Sequence, residues 1–378
     1  MINQSQCLAQ KHSQGRPVAS GYRMHQKVPL TQALRLRQKF TTIPAASAEQ
    51  ATLIILRSDK SMLKQLTASL LLLTPIAGCT DVQQDRPLTL AVSQGAGCEY
   101  LYLAQVQGFF KAAGINVNVQ ALYSMPDAQR AFTQGRVDGL ASSLSEVVQA
   151  AGMIEDEIHL VLITDYADGS DVIVGQAKYP DVRSLHGKKV AAEPGSKGIM
   201  LLSSALAYYD MTISDIEFVA LDPPDIVAGL LAGTIDAGVT HPPFAAKFNG
   251  HTGTRTLFSS AQLPGQIADV VSFKGSLGLS SEWISKFQIA WQMALDYVEQ
   301  NPIEAEKIMI EHEHINVAEF RKRHENITFV SVNRQAEAVA LINQSNIINH
   351  TCRTLGRLKS IRQNCQSLVE RINLRLTR

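Results

Sequence analysis

Phe132-Thr-Gln-Gly-Arg-Val-Asp-Gly-Leu-Ala141 returns further along the chain as Leu231-Ala-Gly-Thr-Ile-Asp-Ala-Gly-Val239. Each passage reads as the end of a helix, a glycine turn, a β-branched residue, an Asp, and then small residues that open a strand. A glycine just past the last periodic residue is a helix-stop signal. The residues beyond it suit a strand. A joint repeated in this detail implies two similar halves.

Working outward from the first copy, Leu88–Val92 is an expected strand and Tyr100–Ala113 a helix stopped by Gly114. Ile115–Val119 alternates with period two and is the next strand. A short helix over Pro126–Gln134 is closed by Gly135, and Val137–Ala141 is a strand. Glu146–Ala151 is a helix; His159–Thr164 and Asp171–Val174 are strands. Around the second copy the order repeats: strand Lys188–Ala192, helix Ser196–Tyr209, strand Ile216–Leu221, helix Asp225–Ala232, strand Ile235–Thr240. Val270–Phe273 is a further strand. Helices follow over Ser281–Gln300 and from Pro302 to Ile310, Pro suiting the first turn. This β-α-β rhythm predicts an α/β architecture with mostly parallel sheets.

The 378 residues are 45% hydrophobic and 18% charged. That supports a large core spread over more than one domain and argues against global disorder. The net charge of +1 hides an asymmetry. Residues 1–61 carry nine Lys/Arg against two Asp/Glu, and residues 345–378 seven against one, leaving the body between them at −12. An acidic body argues against a nucleic-acid partner, which needs clustered cations. Of Cys7, Cys79, Cys98, Cys352 and Cys365, no two have zinc or redox spacing, and the odd total implies no disulfide framework. No metal site is expected: Glu311-His-Glu-His314 lacks the HExxH spacing and reads as a solvated, charged helix end. With no Walker loop, and no GxGxxG after a strand, ATP and NAD are not expected either, and the expected cofactor set is empty.

Met62-Leu-Lys-Gln-Leu-Thr-Ala-Ser-Leu-Leu-Leu-Leu-Thr-Pro-Ile-Ala-Gly-Cys79 has the parts of a secretory signal. Lys64 gives a positive start, Leu66–Pro75 an apolar centre of signal-peptide length, and Ile76-Ala77-Gly78 small residues for cleavage. Ending on Cys79, it resembles a bacterial lipobox, whose cysteine is diacylated. Residues 62–79 are therefore read as a lipoprotein signal, with Met62 as the natural start, 80–86 as a tether, and 1–61 as a non-native or disordered extension. Two acyl chains suffice for stable anchoring where one does not.

Several pieces resemble one family, the solute-binding proteins of ABC importers for nitrate, taurine, aliphatic sulfonates and thiamine-pyrimidine precursors. They include Tyr102-Leu-Ala-Gln-Val-Gln-Gly-Phe-Phe-Lys111, Gly135-Arg-Val-Asp138, Asp165-Tyr-Ala-Asp-Gly-Ser-Asp-Val-Ile-Val174 and Leu185-His-Gly-Lys-Lys-Val-Ala-Ala-Glu-Pro-Gly-Ser196. Leu230-Leu-Ala-Gly-Thr-Ile-Asp-Ala-Gly-Val-Thr240 and Phe258-Ser-Ser-Ala-Gln-Leu-Pro-Gly265 continue the pattern. The resemblance implies a two-lobed periplasmic-binding-protein fold with a hinge and an interlobe ligand cleft. Residues 87–177 and 268–344 would form lobe 1 and 178–267 lobe 2, with 345–378 an atypical basic tail. It further implies a monomeric, non-catalytic binding protein, periplasmic or at the cell surface, lipid-anchored through Cys79 to a bacterial membrane. Its partners would be a small polar solute and an ABC permease served by a separate ATPase. A ligand sensor for a signalling partner and a pyrimidine-precursor biosynthetic enzyme are the alternatives on this fold. The enzyme's Cys-rich run is absent.

In open α/β sheets ligands bind beyond the carboxyl ends of strands. This points to the loop carrying Gly97, Cys98, Glu99 and Tyr100, with Cys98 as a cleft-edge thiol rather than a nucleophile. It points also to Ser142 and Ser143 after the strand ending at Ala141. In the second half, Gly195, Ser196, Lys197 and Gly198 open a helix whose bare N–H groups suit an anion. Thr240 and His241 follow the echo strand. The resemblance adds Asp269, which commonly faces the cleft near the hinge. Glu99, Asp165 and Asp269 bring negative charge to the same region, so a zwitterion or an amino-bearing heterocycle is expected as readily as an anion.

Overall fold

The computed structural model describes residues 86–93 and 95–375. The extension over 1–61, the signal segment 62–79 with Cys79, and the tether as far as residue 85 lie outside the described residues. The chain runs β1 (Leu88–Val92), α1 (Ala96–Val106), α2 (Phe109–Ala112), β2 (Val117–Ala121), α3 (Met125–Thr133), β3 (Gly139–Ser143), α4 (Leu144–Ala151) and β4 (Ile158–Ala167). It continues through β5 (Val172–Gln176), β6 (Lys189–Ala192), α5 (Lys197–Tyr208), β7 (Glu217–Ala220), α6 (Pro223–Ala232), β8 (Ala237–Thr240) and β9 (Thr254–Ser259). It ends with β10 (Ala268–Lys274), α7 (Ser281–Gln300), α8 (Pro302–Glu313), α9 (Val317–His324), β11 (Ile327–Phe329), α10 (Gln335–Ser345), α11 (Ile347–Arg357), α12 (Cys365–Val369) and β12 (Ile372–Leu374).

The strands form two sheets, β11-β4-β10-β3-β1-β2, with β12 also on β4, and β7-β6-β8-β5-β9. Each carries a parallel trio at one end: β1 between β2 and β3, β6 between β7 and β8. The sheets are not mostly parallel. β10 runs antiparallel to β3 and β4, and β5 antiparallel to β8 and β9. The reason is connectivity: these are the strands by which the chain enters each sheet from the other, so they arrive reversed. The chain crosses at 168–171 and returns at 260–267. The expected lobe boundary at 177 therefore falls too late, because β5 already pairs in the second sheet. A short apolar strand carries no mark of which sheet it will join.

The two echo passages do the same local work. Gly135 and Gly233 both take left-handed backbone, φ +74° and +71°, which glycine adopts without a side-chain clash. The Asp that follows braces the neighbouring strand. Asp138 accepts the Thr89 N–H at 2.8 Å and a fork from Arg86 at 2.7 Å. Asp236 accepts the Lys189 N–H at 3.0 Å and the Tyr179 hydroxyl. Each lobe thus pins the first residues of the middle strand of its parallel trio, β1 or β6, and so fixes where the far ends of those strands open.

Trp291, Phe287 and Phe273 are fully buried in a cluster with Leu101 and Leu103 of α1. α1 starts a turn earlier than expected and breaks before Phe109, where Gly108 is left-handed. A second cluster runs without interruption through Val147 of α4, Ile199 and Met200 of α5, and Ile347 and Leu355 of α11. The segment 345–378, expected as an atypical tail, is therefore built into the body as far as it is described. α11 packs on both α4 and α5. Cys352 is bonded to Cys365, a pairing the odd cysteine total concealed. β12 pairs with β4, and the Arg371 guanidinium donates to the Ala151 and Ile154 carbonyls. The basic residues Arg353, Arg357 and Arg362 point outward, which reconciles the segment's charge with its packing.

A carboxylate-lined candidate ligand cleft

Side chains from the strand ends of both sheets converge on one cavity of about 190 Å³. Gly97 and Cys98 reach it from the β1–α1 turn, Ser142 and Ser143 from the end of β3, and Glu146 from the first turn of α4. Asp165 comes from β4 and Asp269 from the start of β10. Opposite them stand Glu193, Ser196, Lys197 and Gly198 of the β6–α5 joint and His241 after β8. Asp171 lies on the crossover between the sheets.

Local chemistry sets each group. Ser143, Asp269 and Asp165 share one row of the first sheet, Asp269 being the cross-strand partner of both. Side chains in register on neighbouring strands share a face, so two carboxylates stand side by side where like charges repel. Gly97 makes room for them. A Cβ there would lie 2.4 Å from Asp165 Oδ2 and 2.7 Å from Thr164 Oγ1, so only glycine lets α1 start against the end of β4. Glu146 reaches back to accept the Ser143 N–H at 2.6 Å, as an acid at the third helical position does in a capping box. Ser196 caps α5, its hydroxyl accepting the Gly198 N–H at 3.1 Å and donating to the Glu193 carbonyl at 3.0 Å. Lys197 spans the cleft, its Nζ 3.5 Å from Asp269 and 3.7 Å from Asp171.

The balance of charge is negative. Among the described residues Glu146, Asp165, Asp171, Glu193 and Asp269 face one ammonium, Lys197. Burial raises the Glu146 carboxyl to about 7, partly offset by Ser143 and Lys197. Burial, then the charge of Asp269, raises Asp165 to about 7, with Lys197 and Thr164 opposing. Burial raises Glu193 as well, and His241 opposes it. Burial also works against the charge on Lys197, but Asp171 and Asp269 outweigh it and hold the ammonium protonated. Cys98 is pushed well above its ordinary range by burial, so its thiol is not poised as a nucleophile.

The sequence-predicted residues divide. Gly97, Cys98, Ser142, Ser143, Ser196, Lys197, Gly198, His241 and Asp269 all line the cavity. Glu99 does not. It turns behind α1 to His312, Nδ1 2.9 Å away, and is buried there. Tyr100 packs on Phe329 and Trp291 in the core. Both depart because α1 begins at Ala96, which rotates them away from the strand ends. Gly195 sits against Gln149 of α4 rather than the cavity, and Thr240 is buried inside β8. Glu311-His-Glu-His314 is likewise not wholly solvated: His312 pairs with Glu99, and Glu313 with Arg323. Sequence reasoning missed Glu146, Asp171 and Glu193 as cavity walls. Glu146 looked like an ordinary first-turn acid, and Asp171 like the start of a strand.

A family model described as the NMT1-like family matches residues 81–309. A Brucella abortus (strain 2308) protein provisionally named a binding protein is 24% identical over 148 residues, 39% of this chain and 45% of that one. The chain thus spans about half the length of the curated relative it matches. Among solved structures, the periplasmic aliphatic sulphonate binding protein SsuA of Escherichia coli aligns over 77% of this chain and 99% of its own, at 18% identity and a TM-score of 0.59. A Candida albicans gene product with the generic periplasmic binding protein fold aligns over 78% of this chain and 99% of its own, at 14% identity and a TM-score of 0.54. The two-lobed fold expected from the sequence is the fold these structures share.

Proposed function

The chain belongs to the NMT1-like family, and from that premise we propose that it is the extracytoplasmic solute-binding component of an ABC importer, without catalytic activity of its own. The observation that carries this reading is Lys197. It stands on one lobe and meets Asp269 of the other at 3.5 Å across a cavity of small-molecule size. A group that both lobes contact lowers the energy of the closed state more than that of the open one. A solute in this cavity does the same, because its partners come from both sheets. The closed form then docks on a permease that a separate ATPase drives.

The solute in this reading is small and polar, within the range of sulfonates, taurine, nitrate and pyrimidine-like compounds. Diacylation of Cys79 holds the protein at the outer face of a bacterial membrane, and it works as a monomer. Two measurements test the reading. Small-angle scattering of the full chain is expected to show compaction when a bound solute is added. Expression in a bacterial host is expected to place the chain in the membrane fraction and to lose it from there on Cys79→Ser. A chain that binds solutes without any compaction would refute the import mechanism.

A further inference from the structure

The cavity that would hold a solute is lined by acid. Among the described residues five carboxylates face it and one ammonium, which is engaged: Lys197 Nζ has Asp269 at 3.5 Å and Asp171 at 3.7 Å. An incoming sulfonate or nitrate would have to win Lys197 from two carboxylates while approaching three others. The helix end that looked like an anion site is occupied too, since the Gly198 N–H is taken by Ser196 Oγ.

Asp165 supplies the second observation. It is 2% exposed and lines the cavity, and among the described residues its Oδ2 has no hydrogen-bond partner. Buried acceptors left without a donor are costly and uncommon. Thr164 beside it moderates the carboxyl without satisfying that oxygen. Asp165 and Asp269 adjoin in register on one face of the sheet and both line the cavity, with Lys197 Nζ 3.5 Å from Asp269. What completes such a pair is a donor that is also a cation.

The walls narrow the class further. Met125, Pro223 and Val239 give the cavity an apolar side, and among the described residues no Phe, Tyr or Trp lines it. Quaternary ammonium groups are held by aromatic faces, which this cavity lacks. Ca²⁺ or Mg²⁺ takes six or more oxygens and leaves no use for an apolar wall. Among the described residues no cluster of metal-ligating side chains is found. A cavity of about 190 Å³ is of the order that takes a single six-membered ring, since an apolar cavity of about 150 Å³ holds benzene.

We propose that the cleft selects a solute carrying an N–H-bearing cation, a primary ammonium or a protonated amidine-like nitrogen, on a small, partly apolar body, with Asp165 and Asp269 as its acceptors. This rests on the binding-protein reading and specifies its solute class. Lys197 then serves as an internal counter-ion, placed between Asp171 and Asp269, rather than as a hook for an anion.

Isosteric probes of opposite charge test it. Calorimetry and thermal melting of the full chain at pH 8 compare benzamidinium with benzoate, and add tetramethylammonium, nitrate and Ca²⁺. Benzamidinium is expected to bind at least about tenfold more tightly than benzoate, and Asp165→Asn to remove that preference. Asp269→Asn, at a more exposed position, is the second variant should the first fail to fold. Tighter binding of benzoate or nitrate, or unchanged benzamidinium affinity in both variants, overturns the proposal. Tetramethylammonium binding as well as benzamidinium removes the N–H requirement, and Ca²⁺ binding more tightly than either makes the site a metal site. Failure of the binding-protein reading looks different: benzamidinium binds, yet scattering shows no closure.

Discussion

Lys197→Met removes one charge at nearly constant length, and its consequence can be worked from the distances. Nζ holds Asp269 at 3.5 Å and Asp171 at 3.7 Å; the Lys197 side chain is 26% exposed, that of Asp171 2%, and that of Asp269 23%. Stranding the partner of a buried ion pair costs about 3–5 kcal/mol. Partial exposure of two of the three groups reduces this to about 2–3 kcal/mol, or a fall in Tm of roughly 4–8 °C for a unit of this size. The pH dependence has a definite sign. The raised pKa of Lys197 keeps its contribution intact throughout the neutral range. Glu146 and Asp165 sit at about 7, above their unfolded values near 4. Groups so raised take up protons on folding and lower stability as pH climbs from those unfolded values to the folded ones. Without the ammonium their folded values rise further, so the penalty keeps growing at higher pH. The Tm deficit of Lys197→Met is therefore expected to be largest at pH 8 and smallest near pH 5.5. Scanning fluorimetry across that interval measures it. A deficit that is flat with pH, or below about 0.5 kcal/mol at pH 8, would show that these carboxylates are not coupled through Lys197.

Cation binding is expected to tighten between pH 6 and 8 and to release protons near pH 7, because Asp165, raised to about 7, must ionise to receive the ligand. Calorimetry in buffers of different ionisation enthalpy counts those protons, and proton uptake would contradict the assignment. Gly97→Ala drives a Cβ into the Asp165 carboxylate. A cost of about 1–3 kcal/mol is expected, as for other overpacked sites, together with at least tenfold weaker solute binding by calorimetry. Reducing the Cys352–Cys365 bond, which closes a short loop, is expected to cost about 3 kcal/mol and to lower the melting temperature; an unchanged melt would mean that α11 is held by packing alone.

The repeated joint at Gly135–Asp138 and Gly233–Asp236 made the duplicated α/β plan legible, because turn chemistry and strand period are local properties. The loops after β1, β3, β6 and β8 could likewise be named in advance, since strand ends set where a ligand sits. What resisted reading was orientation. Moving the start of α1 from Tyr100 to Ala96 turns Glu99 toward His312 of α8 and Tyr100 into the core. Two such residues cannot be sorted without knowing the helix phase. Glu146 carried the marks of a capping acid, which it also is; that it faces a cavity depends on the other lobe. The pairing of Cys352 with Cys365 and the seat of α11 depend on contacts between distant segments, about which composition says nothing.

The placement of α11 bears on how the jaws can move. α4 and α5 present their first turns to the cavity, and α11 lies against both. Parting those two helices evenly along their length would strip Ile347, Ile348 and Leu355 from their cover and wet an apolar seam. Rocking about that seam leaves it dry. On the proposed binding-protein reading, a mouth that gapes while the rear stays shut would admit and release a solute by one side only.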